Sequence, residues 1–246
     1  VNAQATIQEI LFLDIETVPA YASLAEVPEE LRELWIESQQ ARAKRRVEGN
    51  AQALQDVLCA SETTTALESE FEYQNAGLKP EFGRIICVAL GRYDGGGSEQ
   101  HFRTHCIASD NERELLQEFS AVLSKYSNYY LCAHNGKGFD FPYLGKRILI
   151  NALPLPAQLD TMGKKPWEIR HLDTHEMWAF GAKGPGMGAK LALLCAVFGI
   201  PSPKDDIDGS QVREIYYKEK DLARIARYCE KDVVSLAKVY RRMQGI

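Results

Sequence analysis

Ile10-Leu11-Phe12-Leu13-Asp14-Ile15-Glu16 is a run of four apolar residues followed by two carboxylates with one apolar residue between them. A continuous apolar run suits a strand in the middle of a sheet, and the acids at its end predict that it opens onto a site. Residues two apart on a strand leave the same face, about 7 Å apart along it. Asp14 and Glu16 are therefore expected side by side. Two carboxylates pointing together repel unless a cation sits between them. A solvated strand end would show the same spacing, so the pair needs support from elsewhere in the chain.

Helical spacing takes over from Pro28 to about Tyr73. Leu31, Leu34 and Trp35 recur at helix intervals, then Ala53, Leu54, Val57 and Leu58, with Lys44, Arg45 and Arg46 between the two stretches. This predicts a helical insertion or lid of about residues 20–79 after the first strand. Pro80 and Gly83 punctuate the chain before a second strand, Ile85–Leu90. Three successive glycines within Asp94–Ser98 predict a hairpin turn into a third strand around Gln100–Cys106. Asn111 is placed to cap a helix carrying Leu115, Leu116, Phe119, Val122 and Leu123. Tyr129–Ala133 reads as a fourth strand, followed by a loop and a helix from about Phe139 to Leu149. Pro154, Pro156 and Pro166 predict irregular chain, and Ala189–Phe198 and Asp221–Met243 read as helices. The class is α/β, one mixed sheet flanked by helices, in a single domain of residues 1–246.

Composition narrows the function classes. At 246 residues, 45% hydrophobic and 26% charged, the chain has the make-up of a globular protein with a real core. Its apolar runs are too short to cross a bilayer, and no charged segment followed by an apolar one opens the chain. It begins with Val1 rather than Met, so the natural start is expected to be trimmed or missing. Six cysteines, with no C-x-x-C pair, predict a reduced, cytoplasmic protein. A net charge of −5 argues against coating nucleic acid by bulk electrostatics, but not against gripping it locally through bound cations.

Two further stretches give Asp14 and Glu16 the support they need. Asn135–Asp140, N-G-K-G-F-D, follows the fourth strand directly: its glycines permit a tight turn, Phe139 can anchor the next helix, and Asp140 opens that helix. A helix-start carboxylate answering the helix dipole would look the same. Tyr228 and Asp232 are four residues apart on the last helix, roughly 6 Å apart on one face. A core tyrosine with a solvated aspartate one turn later would also fit that spacing.

Taken in order, D-I-E at Asp14–Glu16, N-x-x-x-F-D at Asn135–Asp140 and Y-x-x-x-D at Tyr228–Asp232 resemble the three motifs of the DEDD 3′–5′ exonucleases. The last is the tyrosine form, because the histidine form needs His five residues before Asp232, where Arg227 stands. The resemblance runs closest to predicted exonucleases related to the proofreading domain of family-B DNA polymerases. It extends through Glu81–Val88 and Asp208–Val212 and is weakest over Ala20–Lys79.

The resemblance implies an RNase H-like fold and a metal-dependent 3′–5′ exonuclease. It implies two divalent cations bound by Asp14, Glu16, Asp140 and Asp232, with Asp14 bridging them, Glu16 and Asp232 completing one site and Asp140 supporting the other. All-oxygen ligands suit hard ions, Mg²⁺ or Mn²⁺. Tyr228, with an ordinary pKa near ~10, is expected to orient the attacking water rather than act as a base. The implied partner is the 3′ end of a single-stranded nucleic acid, DNA ahead of RNA. An RNA-trimming enzyme and a non-catalytic binding module are the rival readings. Thr17 and Asn135 flank the acids and could bond the terminal nucleotide. Phe139 could do the same or be wholly structural.

Other patterns fail on inspection. Gly184–Lys190 resembles a phosphate loop, but Ala189 and Leu191 stand where Gly and Ser or Thr are needed. Its G-P-G-M-G run could still bring amides toward phosphates, and Lys44–Arg46 and Lys164–Lys165 could touch a strand. Lys204–Gly209 hints at a calcium loop but begins on Lys204. His171 and His175 lack the H-E-x-x-H glutamate, and their segment reads as extended, with Asp173 a possible orienting group.

Overall fold

The computed structural model describes residues 5–47, 70–95, 101–182, 184, 188–202 and 206–246, with backbone alone at 43–47. Five strands form one sheet in the order β3-β2-β1-β4-β5. They are β1 (Ile10–Pro19), β2 (Gly83–Tyr93), β3 (Phe102–Ala108), β4 (Tyr130–Ala133) and β5 (Leu172–Asp173). β1 runs parallel to β4, with Ile10 opposite Tyr130, and β4 parallel to β5, while β2 and β3 are antiparallel. The sheet is therefore mixed, and β1 is its central strand, as the apolar run predicts.

The period of two along β1 sorts its side chains. Leu11, Leu13 and Ile15 enter a core built with α2 (Glu112–Ser124) and α3 (Asp140–Ile150), including Leu116, Phe119, Leu144 and Ile148. A buried ion pair ties these helices together: Arg147 Nε donates to Glu112 at 2.8 Å, and Glu112 also accepts from the Ile85 amide at 2.7 Å. Ile10 and Phe12 leave the other face. Phe12 meets the rings of Tyr93, Phe102 and Tyr240 at 6.2, 6.1 and 5.5 Å.

Tyr240 belongs to the last helix, α6 (Leu222–Gln244). Asp221 caps it, accepting from the Arg224 amide at 2.9 Å, and its buried stripe includes Ile225, Cys229, Val233, Leu236 and Tyr240. Gly91 allows α6 to seat closely on β2. A Cβ there would lie 2.6 Å from Val233 Cγ1 and 2.4 Å from the Phe102 ring. Short helices before α6 include α4 (Thr174–Trp178) and α5 (Leu191–Phe198); Leu194 and Cys195 of α5 bury against Val239 of α6.

The chain divides into two compact units, residues 1–17 with 85–246, and residues 18–84. In the second unit, α1 (Glu29–Val47) continues through Lys44, Arg45 and Arg46, which the sequence places between two helical stretches. A-R-A-K-R-R-V has no glycine or proline to stop a helix, and most of its residues favour one. Trp35 anchors the unit, 5.3 Å from Tyr73 and 5.0 Å from Phe82, with Leu24, Val27 and Ala76. Leu31 and Leu34 are exposed rather than core. Ala53, Leu54, Val57 and Leu58 lie outside the described residues.

Candidate active site

Because Asp14 and Glu16 share the parity of Ile10 and Phe12, they leave β1 on the face toward α6. Glu16 is buried and Asp14 half-buried. Asp14 and Glu16 carboxylate oxygens and the Cys229 sulfur all lie within 4.8 Å of one another. Cys229 follows Tyr228 on α6, and one turn further on stands Asp232, both buried. Helical spacing thus aims Tyr228 and Asp232 at the acidic end of β1 while Val233, Leu236 and Tyr240 close the core beyond it.

Asp140 arrives from the other direction. Gly136 makes the turn that carries it: a Cβ there would lie 2.4 Å from Ala133 Cβ and 2.9 Å from the Phe141 ring. Asn135 adopts a left-handed φ of 62°, and its carbonyl accepts from the amides of Gly138 and Phe139 at 3.0 and 2.9 Å. Asp140 is the first residue of α3, and its carboxyl accepts from its own amide and that of Ile15. It is thereby fastened to β1 between Asp14 and Glu16.

The electrostatics follow from this crowding. Burial raises the Asp14 carboxyl well above its ordinary range, and the charges of Asp232, Glu16 and Asp140 add to it. Asp140 is pushed up to about 7, mainly by burial, against the pull of its two amide bonds. Burial and the Asp232 and Glu16 carboxylates also raise the Tyr228 hydroxyl, which hydrogen-bonds Asp232. An arrangement that drives acids toward protonation is relieved by a cation among them. The oxygen donors of four acids fit hard divalent ions.

The chain has relatives. The model of the family described as predicted 3′–5′ exonucleases related to the exonuclease domain of PolB matches residues 76–246. The chain belongs to this family. A DNA polymerase of Pyrococcus glycovorans is 27% identical over 135 residues, covering 50% of this chain and 17% of the polymerase. The family B DNA polymerase of Pyrobaculum calidifontis superposes with a TM-score of 0.55 at 16% identity, covering 96% of this chain and 24% of that one. This chain thus spans only 17% of the Pyrococcus relative. The mixed sheet flanked by helices is the RNase H-like fold of these exonuclease domains.

The structure brings Asp14, Glu16, Asp140, Tyr228 and Asp232 to one place, and treats the remaining candidates differently. Thr17 continues β1 and is half-buried, and Asn135 is exposed on the turn. Phe139 is half-buried and packs on the core, its ring 5.2 Å from Tyr143, as a structural anchor would. His171 and His175 form no metal pair: His171 is buried with Nε2 2.8 Å from the Gln158 carbonyl, while His175 lies on α4, helical where the sequence reads as extended. Lys165 stacks on Trp167, 5.3 Å from its ring centre. Most of Gly184–Gly188, and Lys204 with Asp205, lie outside the described residues. Among the described residues no helix is long and apolar enough to cross a membrane.

Two further residues contribute, Cys229 with little signal in the sequence and Asp173 read there as a possible orienting group. Cys229 is there one of six cysteines with no motif, yet its Sγ lies 3.4 Å from Asp14 Oδ2. Asp173 accepts from the amides of Asn135 and Lys137 at 2.9 and 3.0 Å, and of His175 at 2.9 Å. One carboxylate therefore both caps α4 and shapes the turn before Asp140.

Proposed function

We propose that the chain is a metal-dependent exonuclease that removes nucleotides from the 3′ end of single-stranded DNA, releasing nucleoside 5′-monophosphates. The observation that carries this is the convergence of four acids, from β1, α3 and α6, where burial and then mutual repulsion raise the Asp14 carboxyl. A binding module has no use for clustered acids near phosphate, whereas a cation-assisted hydrolase needs them. Residues 1–246 act in this reading as one exonuclease domain, with about 20–79 as an insertion or lid.

Asp14, Glu16, Asp140 and Asp232 would hold two Mg²⁺ or Mn²⁺ ions. When bound, such ions lower the pKa of water and neutralise charge on a departing 3′ oxygen. The chain's own residues do the rest. Tyr228 is held protonated by burial and its acidic neighbours, so it cannot serve as a base at neutral pH. Its hydroxyl instead donates a hydrogen bond and takes part in orienting the attacking water. Asn135, exposed on its strained turn, and Thr17, at the end of β1, are the contacts proposed for the terminal nucleotide. Phe139 secures the start of α3 and hence Asp140.

The test is degradation of 5′-end-labelled single-stranded DNA and RNA with Mg²⁺, Mn²⁺ or EDTA. A ladder of DNA shortened from the 3′ end, only with metal, is the expected result. Faster shortening of RNA would reassign the substrate. Binding without cleavage under every metal condition would replace the enzyme by a binding module.

A further inference from the structure

Cys229 is completely buried, on the stripe of α6 that also carries Val233, Leu236 and Tyr240. Its position calls for a small apolar side chain, and a thiol is one that keeps a weak donor. That donor is used. Sγ lies 3.4 Å from Asp14 Oδ2 and 3.4 Å from the Asp14 carbonyl oxygen. We propose that Cys229 is a positioning residue for the cation site, its thiol bridging the side chain and main chain of Asp14 to fix the carboxylate's direction.

The inference rests on the reading of the four acids as that site. The geometry supports it. A contact to both Oδ2 and the main-chain oxygen of one residue restrains the torsion between them, which a contact to either alone does not. A carboxylate in this position would worsen the repulsion, and valine would fill the space without donating. Residues that hydrogen-bond a metal ligand orient it, and losing one typically costs about 10–100-fold in metal affinity.

The test is Mn²⁺ affinity, measured by electron paramagnetic resonance without nucleic acid, in wild type, Cys229→Ser, Cys229→Ala and Cys229→Val. Circular dichroism confirms that each variant is folded. The valine and alanine variants are expected to bind Mn²⁺ at least about 10-fold more weakly, with serine, which still donates, closer to wild type. If valine or alanine binds as tightly as wild type, the thiol is only core packing and the proposal is overturned. If Co²⁺ added to wild type gives a sulfur-to-metal charge-transfer absorption that serine abolishes, Cys229 is itself a ligand and the positioning role is wrong. Wild type that binds no Mn²⁺ at all would instead sink the underlying reading of the site.

Discussion

On one face of β1, Leu11, Leu13 and Ile15 close into a dry core with α2 and α3; on the other, Ile10 and Phe12 give way to Asp14 and Glu16. The backbone is common to both faces, so the contrast comes from side chains alone. α6 repeats it along its length, from Tyr228, Cys229 and Asp232 at one level to Val233, Leu236 and Tyr240 at the next. Where burial meets an apolar side chain it stabilises the fold. Where it meets a carboxylate it opposes ionisation and creates a demand for cations. The acidic end is a local conflict that the apolar end is rigid enough to sustain.

Substitutions on the two faces should separate these effects. Asp14→Asn is expected to lower activity by about 10²–10³-fold or more, the range for losing a charge-stabilising group. The same change should raise the thermal midpoint of the metal-free protein, because it removes a repelled charge. A fall in both would mean that Asp14 serves the fold. Leu11→Ala, on the opposite face, should cost about 2–5 kcal/mol in urea unfolding and leave Mn²⁺ affinity nearly unchanged. Tyr228→Phe should slow cleavage by about 100-fold at saturating metal, the lower end of the range for a positioned proton-transfer group. Its Mn²⁺ affinity should stay close to wild type, whereas a loss matching that of Asp14→Asn would make Tyr228 part of the cation site. Gly91→Ala forces a Cβ against Val233 and Phe102, and is expected to cost about 1–3 kcal/mol by overpacking.

The pH dependence is the subtlest expectation. In the unfolded chain Asp140 ionises near ~4, and in the fold at about 7. Between these values the folded state holds more protons, so this group's stabilising contribution is full below the lower value. It is lost as pH rises through the upper one. Urea midpoints of the metal-free protein should therefore fall across that window, and Asp140→Asn should flatten the slope. An unchanged slope would show that Asp140 is not buried as described.

The sequence is legible where a long periodic segment carries the message. β1, α2, α3 and α6 lie within a few residues of their expected bounds, because alternation or helical spacing persists over many residues. β5, two residues long, has no period to detect, and α4 begins at once after it through the Asp173 cap. α1 passes through Lys44–Arg46 because a charged run of good helix formers does not end a helix. Within the candidate site, the parity of Asp14 with Glu16 and the spacing of Tyr228 with Asp232 are local properties. The thiol contact of Cys229 with Asp14 joins residues far apart in the chain and depends on how closely α6 seats on the sheet, which no local pattern encodes.

Calorimetric titration of Mn²⁺ into wild type and Asp14→Ala tests the central claim most directly, that buried acids from β1, α3 and α6 form one divalent-cation site. Saturable binding of two ions by wild type, abolished in a folded Asp14→Ala variant, is the predicted result. Equal Mn²⁺ affinity in the two proteins would contradict it.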